Sequence, residues 1–383
     1  MTPVPPRNHE YWLLLASALV SLVTNLVGWP RRLRPPRRIL VVKVDHLGDA
    51  ITATPALRAL RDAHPEATID LVLSPSVAPL FRGTPLANRV LAYESPAFRR
   101  GGSPPDASAP PLHEIVRERY DTIVELRGDR NTLALAFRTG AARRVDRGTV
   151  RLRDWIGRRL FSNRHARSPL HEVETNFAIV GSLLQDAGAA QAPGPIPEIR
   201  VAAEADRSMR AALESAGLDP AAPFITLHPG AAWRPRAWRA ERFAELADRL
   251  AASHGLPFAV VGVADERDIE RAMRAAVREA RVAWLFGVLS LPETAALLRA
   301  SRLLIGNDSG LAHLAAACGT PVIALFGPQD PRRFAPWSAR TRTLHHRVPC
   351  FPCDQTICVR PELPCVNLIE VAEVEAAARA ALG

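Results

Sequence analysis

The sequence predicts an α/β protein made of two doubly wound domains. Short apolar, β-branched runs of the buried-strand type alternate with longer amphipathic runs of the helix type. The alternation stops at a Pro/Gly/Ala stretch, residues 189–197, and then restarts. A length of 383 residues suits two domains of ordinary size.

Taken in order, residues 38–44 read as a buried parallel strand and 48–63 as a helix, followed by strands at 69–73 and 89–92. Residues 95–111, rich in Pro, Gly and Ser, read as a surface loop. A strand at 120–126 and a helix at 171–188 complete the first half. The second half predicts strands at 224–227, 258–262, 282–286, 303–305 and 322–326, with helices near 239–254, 265–280, 291–300 and 309–318. The boundaries that follow are an N-terminal segment 1–36, a first domain 37–190, and a second domain 191–383 with a Cys-rich tail and a terminal helix. Sheets of this kind bind ligands at the carboxyl ends of their strands, and two facing domains enclose a cleft.

The 49 basic and 39 acidic residues leave a net charge of +10. Residues 1–190 carry 27 basic and 18 acidic groups, and residues 191–383 carry 22 and 21, so the excess belongs to the first half. Nucleic acid, an anionic membrane and an acidic substrate all suit that charge. The chain lacks a nucleic-acid recognition motif, which removes the first of these. Hydrophobic content of 48% excludes wholesale disorder, and five cysteines in this length do not make a disulfide scaffold. Every cation except Lys43 is an arginine.

Tyr11 to Trp29 is uncharged and apolar, and Arg31, Arg32, Arg34, Arg37 and Arg38 follow it. Charge after the apolar run, with no small-residue cleavage site, argues against a signal peptide. Helical spacing gathers Ser17, Ser21, Thr24, Asn25 and Gly28 on one face. A spanning helix, a helix lying in the membrane interface and a helix docked on the protein all fit this pattern. The arginines favour the cytoplasmic face of a membrane.

Three strand-to-helix junctions carry chemistry. At the first, Lys43, Asp45, His46, Gly48 and Asp49 run from a strand end into a helix start, where Gly48 permits close backbone approach. Asp49 suits either a general base facing the cleft or a residue favoured there by the helix dipole alone. At the second, His228 to Trp238 brings Arg234 and Arg236 to a Pro/Gly turn, which suits a phosphate or is a solvated turn. At the third, Gly306 to His313 offers the N–H groups of Ser309, Gly310 and Leu311 at a helix start, an anion site for a diphosphate. There Asp308 suits an N-cap or a ligand contact, and His313 shares a helix face with Ser309. Neither a nicotinamide fingerprint nor a P-loop is present. Cys350, Cys353, Cys358 and Cys365 fit a structural zinc site or a set of free or redox-labile thiols. Cys318, in an Ala-rich helix, reads as core.

Together these motifs resemble glycosyltransferase family 9, the lipopolysaccharide heptosyltransferases. The resemblance covers roughly residues 37–380. It rests on the Ile39–Arg61 run, residues 120–128, the His171–Asn176 motif, residues 225–238, residues 304–331 and the trailing cysteines. It implies the GT-B fold, two Rossmann-like domains with the acceptor on the first and an ADP-sugar on the second. The reaction it implies is inverting and needs no metal, with Asp49 as general base. Arg236, Asp308, Ser309, Gly310, Leu311 and His313 would then bind the donor, and Lys43, His46 and Gly48 the acceptor. The implied partners are an ADP-sugar, an anionic glycolipid and the cytoplasmic surface of the inner membrane. Three positions depart from the family pattern: Arg236 replaces Lys, Arg239 replaces Pro, and Thr175 stands where Arg is common. The competing readings are a transferase or epimerase using a UDP-sugar, separable by thermal shift with ADP and UDP, and a membrane-bound glycan-binding protein without turnover, separable by assay.

Overall fold

The computed structural model describes residues 35–98, 115, 118–127, 132, 138–147, 163–164, 170–188, 196–351, 353 and 358–383. The segment 11–29, expected to associate with a membrane, lies outside them. Among the described residues no helix is long and apolar enough to cross a membrane.

The chain divides into two compact units, Met1–Pro195 and Ile196–Gly383. The first contains β1 (Arg38–Lys43), α1 (Leu47–Thr52), α2 (Thr54–Ala63), β2 (Thr68–Leu73), α3 (Ala78–Phe81), β3 (Arg89–Ala92), β4 (Thr122–Arg127), β5 (Arg143–Asp146), β6 (Asn163–Arg164) and α4 (Glu172–Asp186). Its sheet has the order β3-β2-β1-β4-β5-β6, and every pairing is parallel. The strand β1 is buried along Ile39–Lys43, as a central strand covered on both faces must be. One expected helix becomes two. Pro55 lacks an N–H, and the hydroxyl of Thr54 donates instead to the carbonyl of Ile51 at 2.8 Å, so the chain bends at Ala53. The strand β5 was not expected, because Arg143, Arg144 and Asp146 are charged, yet all three are buried.

The second unit contains α5 (Ala203–Ser215), β7 (Ile225–His228), α6 (Ala240–His254), β8 (Phe258–Gly262), α7 (Arg267–Ala276), β9 (Val282–Phe286), α8 (Leu291–Ala300), β10 (Leu303–Asn307), α9 (Gly310–Ala317), β11 (Val322–Phe326), α10 (Pro331–Phe334), β12 (Thr341–His345) and α11 (Val371–Leu382). Its all-parallel sheet has the order β12-β11-β10-β7-β8-β9. Counted from its own first strand this is the same winding as in the first unit. Each sheet therefore reverses direction once, between β1 and β4 and between β7 and β10. At such a switch point the loops from adjacent strands part in opposite directions and leave a crevice for a ligand. Ile225, Leu227, Trp238, Phe243, Leu303 and Ile305 form part of the second core beneath that crevice.

Candidate functional site

All three sequence junctions stand at switch points. In the first unit, β1 ends at Lys43, and the alternation of an extended chain turns Lys43 and Asp45 to the same side. The ammonium of Lys43 donates to Asp45 Oδ2 at 3.0 Å, and the two residues are 1% and 4% exposed. Lys43, expected to touch an acceptor, is thus sealed from solvent and paired inward. Arg127, at the end of β4, brings its Nε to 3.9 Å from the same oxygen. Asp45 Oδ1 is buried with no hydrogen-bond partner among the described residues. Burial, and then the charge of Asp49, hold the Asp45 carboxyl up at about 7 against the pull of Lys43 and Arg127.

Asp49 is half-buried in the first turn of α1, where the helix dipole favours a carboxylate. Gly48 lies inside the same turn with helical backbone, rather than in a tight turn of its own. His46 occupies the N-cap position in an extended conformation, without a side-chain capping bond, and sets its ring edge-on to Phe98, with centroids 6.0 Å apart. The Arg127 guanidinium covers Phe98 at 5.6 Å. Behind α1, Asn176 of the His-Glu-Val-Glu-Thr-Asn motif donates to Thr52 Oγ1 at 3.4 Å. Thr175 of that motif is buried, so the position where Arg is common has no exposed side chain here.

In the second unit the loop after β7 is fastened at both ends by one side chain that sequence reasoning passed over. Asn307, fully buried at the end of β10, donates through Nδ2 to the carbonyl of Pro229 at 2.7 Å and accepts from the N–H of Trp238 at 3.0 Å. Trp238 is the loop's hydrophobic anchor. Its ring is 1% exposed, packs edge-on to Phe243 at 4.9 Å, and donates from Nε1 to the carbonyl of Ile369. The next N–H, on Arg239, donates to Asn367 Oδ1 at 3.0 Å, a bond that a proline at this position could not make.

The loop so held presents Arg236 in a short 3₁₀ turn. Its Nη1 stands 3.2 Å from Asp308 Oδ2, and both side chains are largely buried. Asp308 is followed by Ser309, the N-cap of α9, whose hydroxyl is 3.1 Å from His228 Nδ1. Burial pushes His228 down to about 4, so its ring is neutral at physiological pH. Ser309, Gly310, Leu311 and His313 are partly exposed at the start of α9, where the first N–H groups have no intrahelical acceptor. The expected donor residues therefore come together around one helix start.

Glu266 was also missed. Its Oε2 accepts from the N–H of Val263 at 2.9 Å, and a Cβ added at Gly230 would overlap its Oε1. The loop passes directly over this carboxylate, so a larger residue at Gly230 would displace the Glu266 side chain. Burial raises the Glu266 carboxyl. No sequence spacing links residues 230 and 266; only the fold brings them together.

The four trailing cysteines carry no disulfide, and Cys353, Cys350 and Cys358 each act electrostatically on Cys365. Cys350, Cys353, Cys358 and Cys365 are all free thiols, with the first two exposed. Among the described residues no three His, Cys, Asp or Glu side chains are placed to hold a metal. Cys318 is half-buried in α9's C-terminal turn, and burial pushes its thiol up to about 12.

A family model, glycosyltransferase family 9 (heptosyltransferase), matches residues 112–363. Lipopolysaccharide heptosyltransferase 2 of Salmonella typhimurium is 27% identical over 321 residues, which is 80% of this chain and 87% of that protein. Among solved structures, a family 9 glycosyl transferase from Veillonella parvula has a TM-score of 0.73 at 22% identity, covering 90% of this chain and 97% of its own. The E. coli ADP-heptose lps heptosyltransferase II has a TM-score of 0.70 at 22% identity, covering 90% and 98%. A doubly wound pair with these junctions is the frame of a glycosyltransferase, and the protein is one. The chain belongs to glycosyltransferase family 9, the heptosyltransferase family.

Proposed function

We propose that the protein moves a heptose, or a closely related sugar, from an ADP-activated donor to a lipopolysaccharide-core or similar glycolipid, inverting the anomeric centre without a metal. The observation that carries this is the residue set at the switch point of each unit: a carboxylate at the helix start after β1, and a cation, a fixed hydroxyl and exposed N–H groups around the helix start after β10. The E. coli relative, described as an ADP-heptose enzyme, supports the donor class.

In this reading Asp49 takes the proton of the attacking acceptor hydroxyl while the glycosidic bond to ADP breaks on the opposite face. General-base assistance of this kind contributes about 10²–10⁴ in rate. Charge grows on the departing diphosphate. Arg236, the N–H groups at Ser309–Leu311 and His313 meet it as fixed donors. Neutral His228 orients the Ser309 hydroxyl toward the same region. Asp308 orients Arg236, and Glu266 is an acceptor for donor hydroxyls beside Gly230. His46 and Gly48 border the acceptor side, and Lys43 lies buried beneath them. The arginine-rich first half and residues 11–29 would hold the enzyme at the cytoplasmic face of the inner membrane, close to an anionic glycolipid.

Thermal shift with ADP and with UDP tests the donor class. Stabilisation by ADP alone is expected. Equal or greater stabilisation by UDP removes the ADP-sugar reading.

A further inference from the structure

Lys43 and Asp45 are a buried ion pair at the end of β1, Asp45 stands four residues before the carboxylate assigned as base in the first turn of α1, and the reaction as described gives Asp45 no task. Two buried charges would be a costly way to hold the end of a strand, since well-packed apolar residues commonly serve as well. The pair is also unbalanced. One oxygen of Asp45 takes Lys43, while the other is buried with no hydrogen-bond partner among the described residues. The charged groups that act on Asp45 come from three elements: Lys43 from β1, Asp49 from α1 and Arg127 from β4.

We propose that Asp45 is a positioning residue for the transfer reaction, a second carboxylate whose negative charge, held in place by Lys43, makes Asp49 the stronger base. This rests on the reading of Asp49 as base. Carboxylates that act on each other bind protons as a pair, so the first proton taken up belongs to both. While Asp45 is ionised, Asp49 holds a proton more tightly and draws it from the acceptor more readily. Once the pair takes up a proton, that advantage is lost. Burial and Asp49 raise the Asp45 carboxyl, so this loss comes at a higher pH than for an ordinary carboxylate. Lys43 keeps the second charge from being neutralised earlier, which gives a task to the only lysine in a chain otherwise built with arginine.

The test is the pH dependence of kcat/KM for wild type and Asp45→Asn. The acid limb of the variant is expected to move to lower pH by about one unit, with a lower plateau. A folded Asp45→Asn protein whose limb superimposes on that of wild type overturns the proposal. A second measurement needs no turnover and no change at Asp45. Carboxyl ¹³C NMR follows the Asp45 titration in wild type and in Asp49→Asn. Its midpoint is expected to fall by about one unit when the Asp49 charge is removed, and an unchanged midpoint also overturns the proposal. Failure of the base reading looks different. Asp49→Ala would then turn over normally, whatever the NMR titration shows.

Discussion

Arg236 Nη1 and Asp308 Oδ2 lie 3.2 Å apart at the mouth of the switch point between β7 and β10. In the proposed donor site the cation is therefore held in place before any diphosphate arrives. Arg236→Ala removes that cation and leaves a nearly buried carboxylate facing the ligand. Loss of a charge-assisted contact of this kind costs about 1.5–3 kcal/mol, so ADP should bind about 10–100-fold more weakly by calorimetry. Arg236→Lys restores the charge without the planar fork and should recover most of that loss.

Asn307 holds both ends of the loop that carries Arg236. Asn307→Ala leaves the N–H of Trp238 and the carbonyl of Pro229 buried and unpaired. Each such group costs about 1–3 kcal/mol. Urea unfolding should show a loss of a few kcal/mol, with weaker ADP binding even where the variant is fully folded. A variant as stable as wild type would mean that Trp238 alone fixes the loop.

His228 sets an acid limit on stability. Its folded value of about 4 lies below the ordinary 6.5, so the unfolded chain binds the proton more readily. Its contribution is fully present above pH 6.5 and is lost as the pH falls toward 4. Between pH 7 and pH 5 the loss is about 2 kcal/mol. His228→Gln should remove that part of the pH dependence in chemical denaturation at the two pH values, while the carboxylates continue to contribute theirs.

Most of the fold was legible because parallel strands covered on both faces are continuous apolar runs. Val322–Phe326 and Phe258–Gly262 match their expected limits for that reason. The strand β5 was not legible, because its charged residues are buried by the strand's place between β4 and β6, which no local pattern announces. The proposed donor residues Arg236, Asp308, Ser309 and His313 were readable as loop-to-helix chemistry. Asn307 and Glu266 were not, since their importance lies in what crosses them from distant parts of the chain. Asp45 was legible as part of the first junction, though not in a role of its own. It lies two residues beyond the only lysine at a strand end, and that spacing alone turns the two charges to one side.

The proposed transfer depends on Asp49 above all. The direct measurement is the rate of heptose transfer from ADP-heptose to a lipopolysaccharide-core acceptor by wild type and Asp49→Ala, with ADP affinity measured on the same preparations. The account predicts a rate lower by about 10²–10⁴, the usual worth of general-base assistance, with ADP affinity unchanged within about twofold. Turnover within a few-fold of wild type would contradict it.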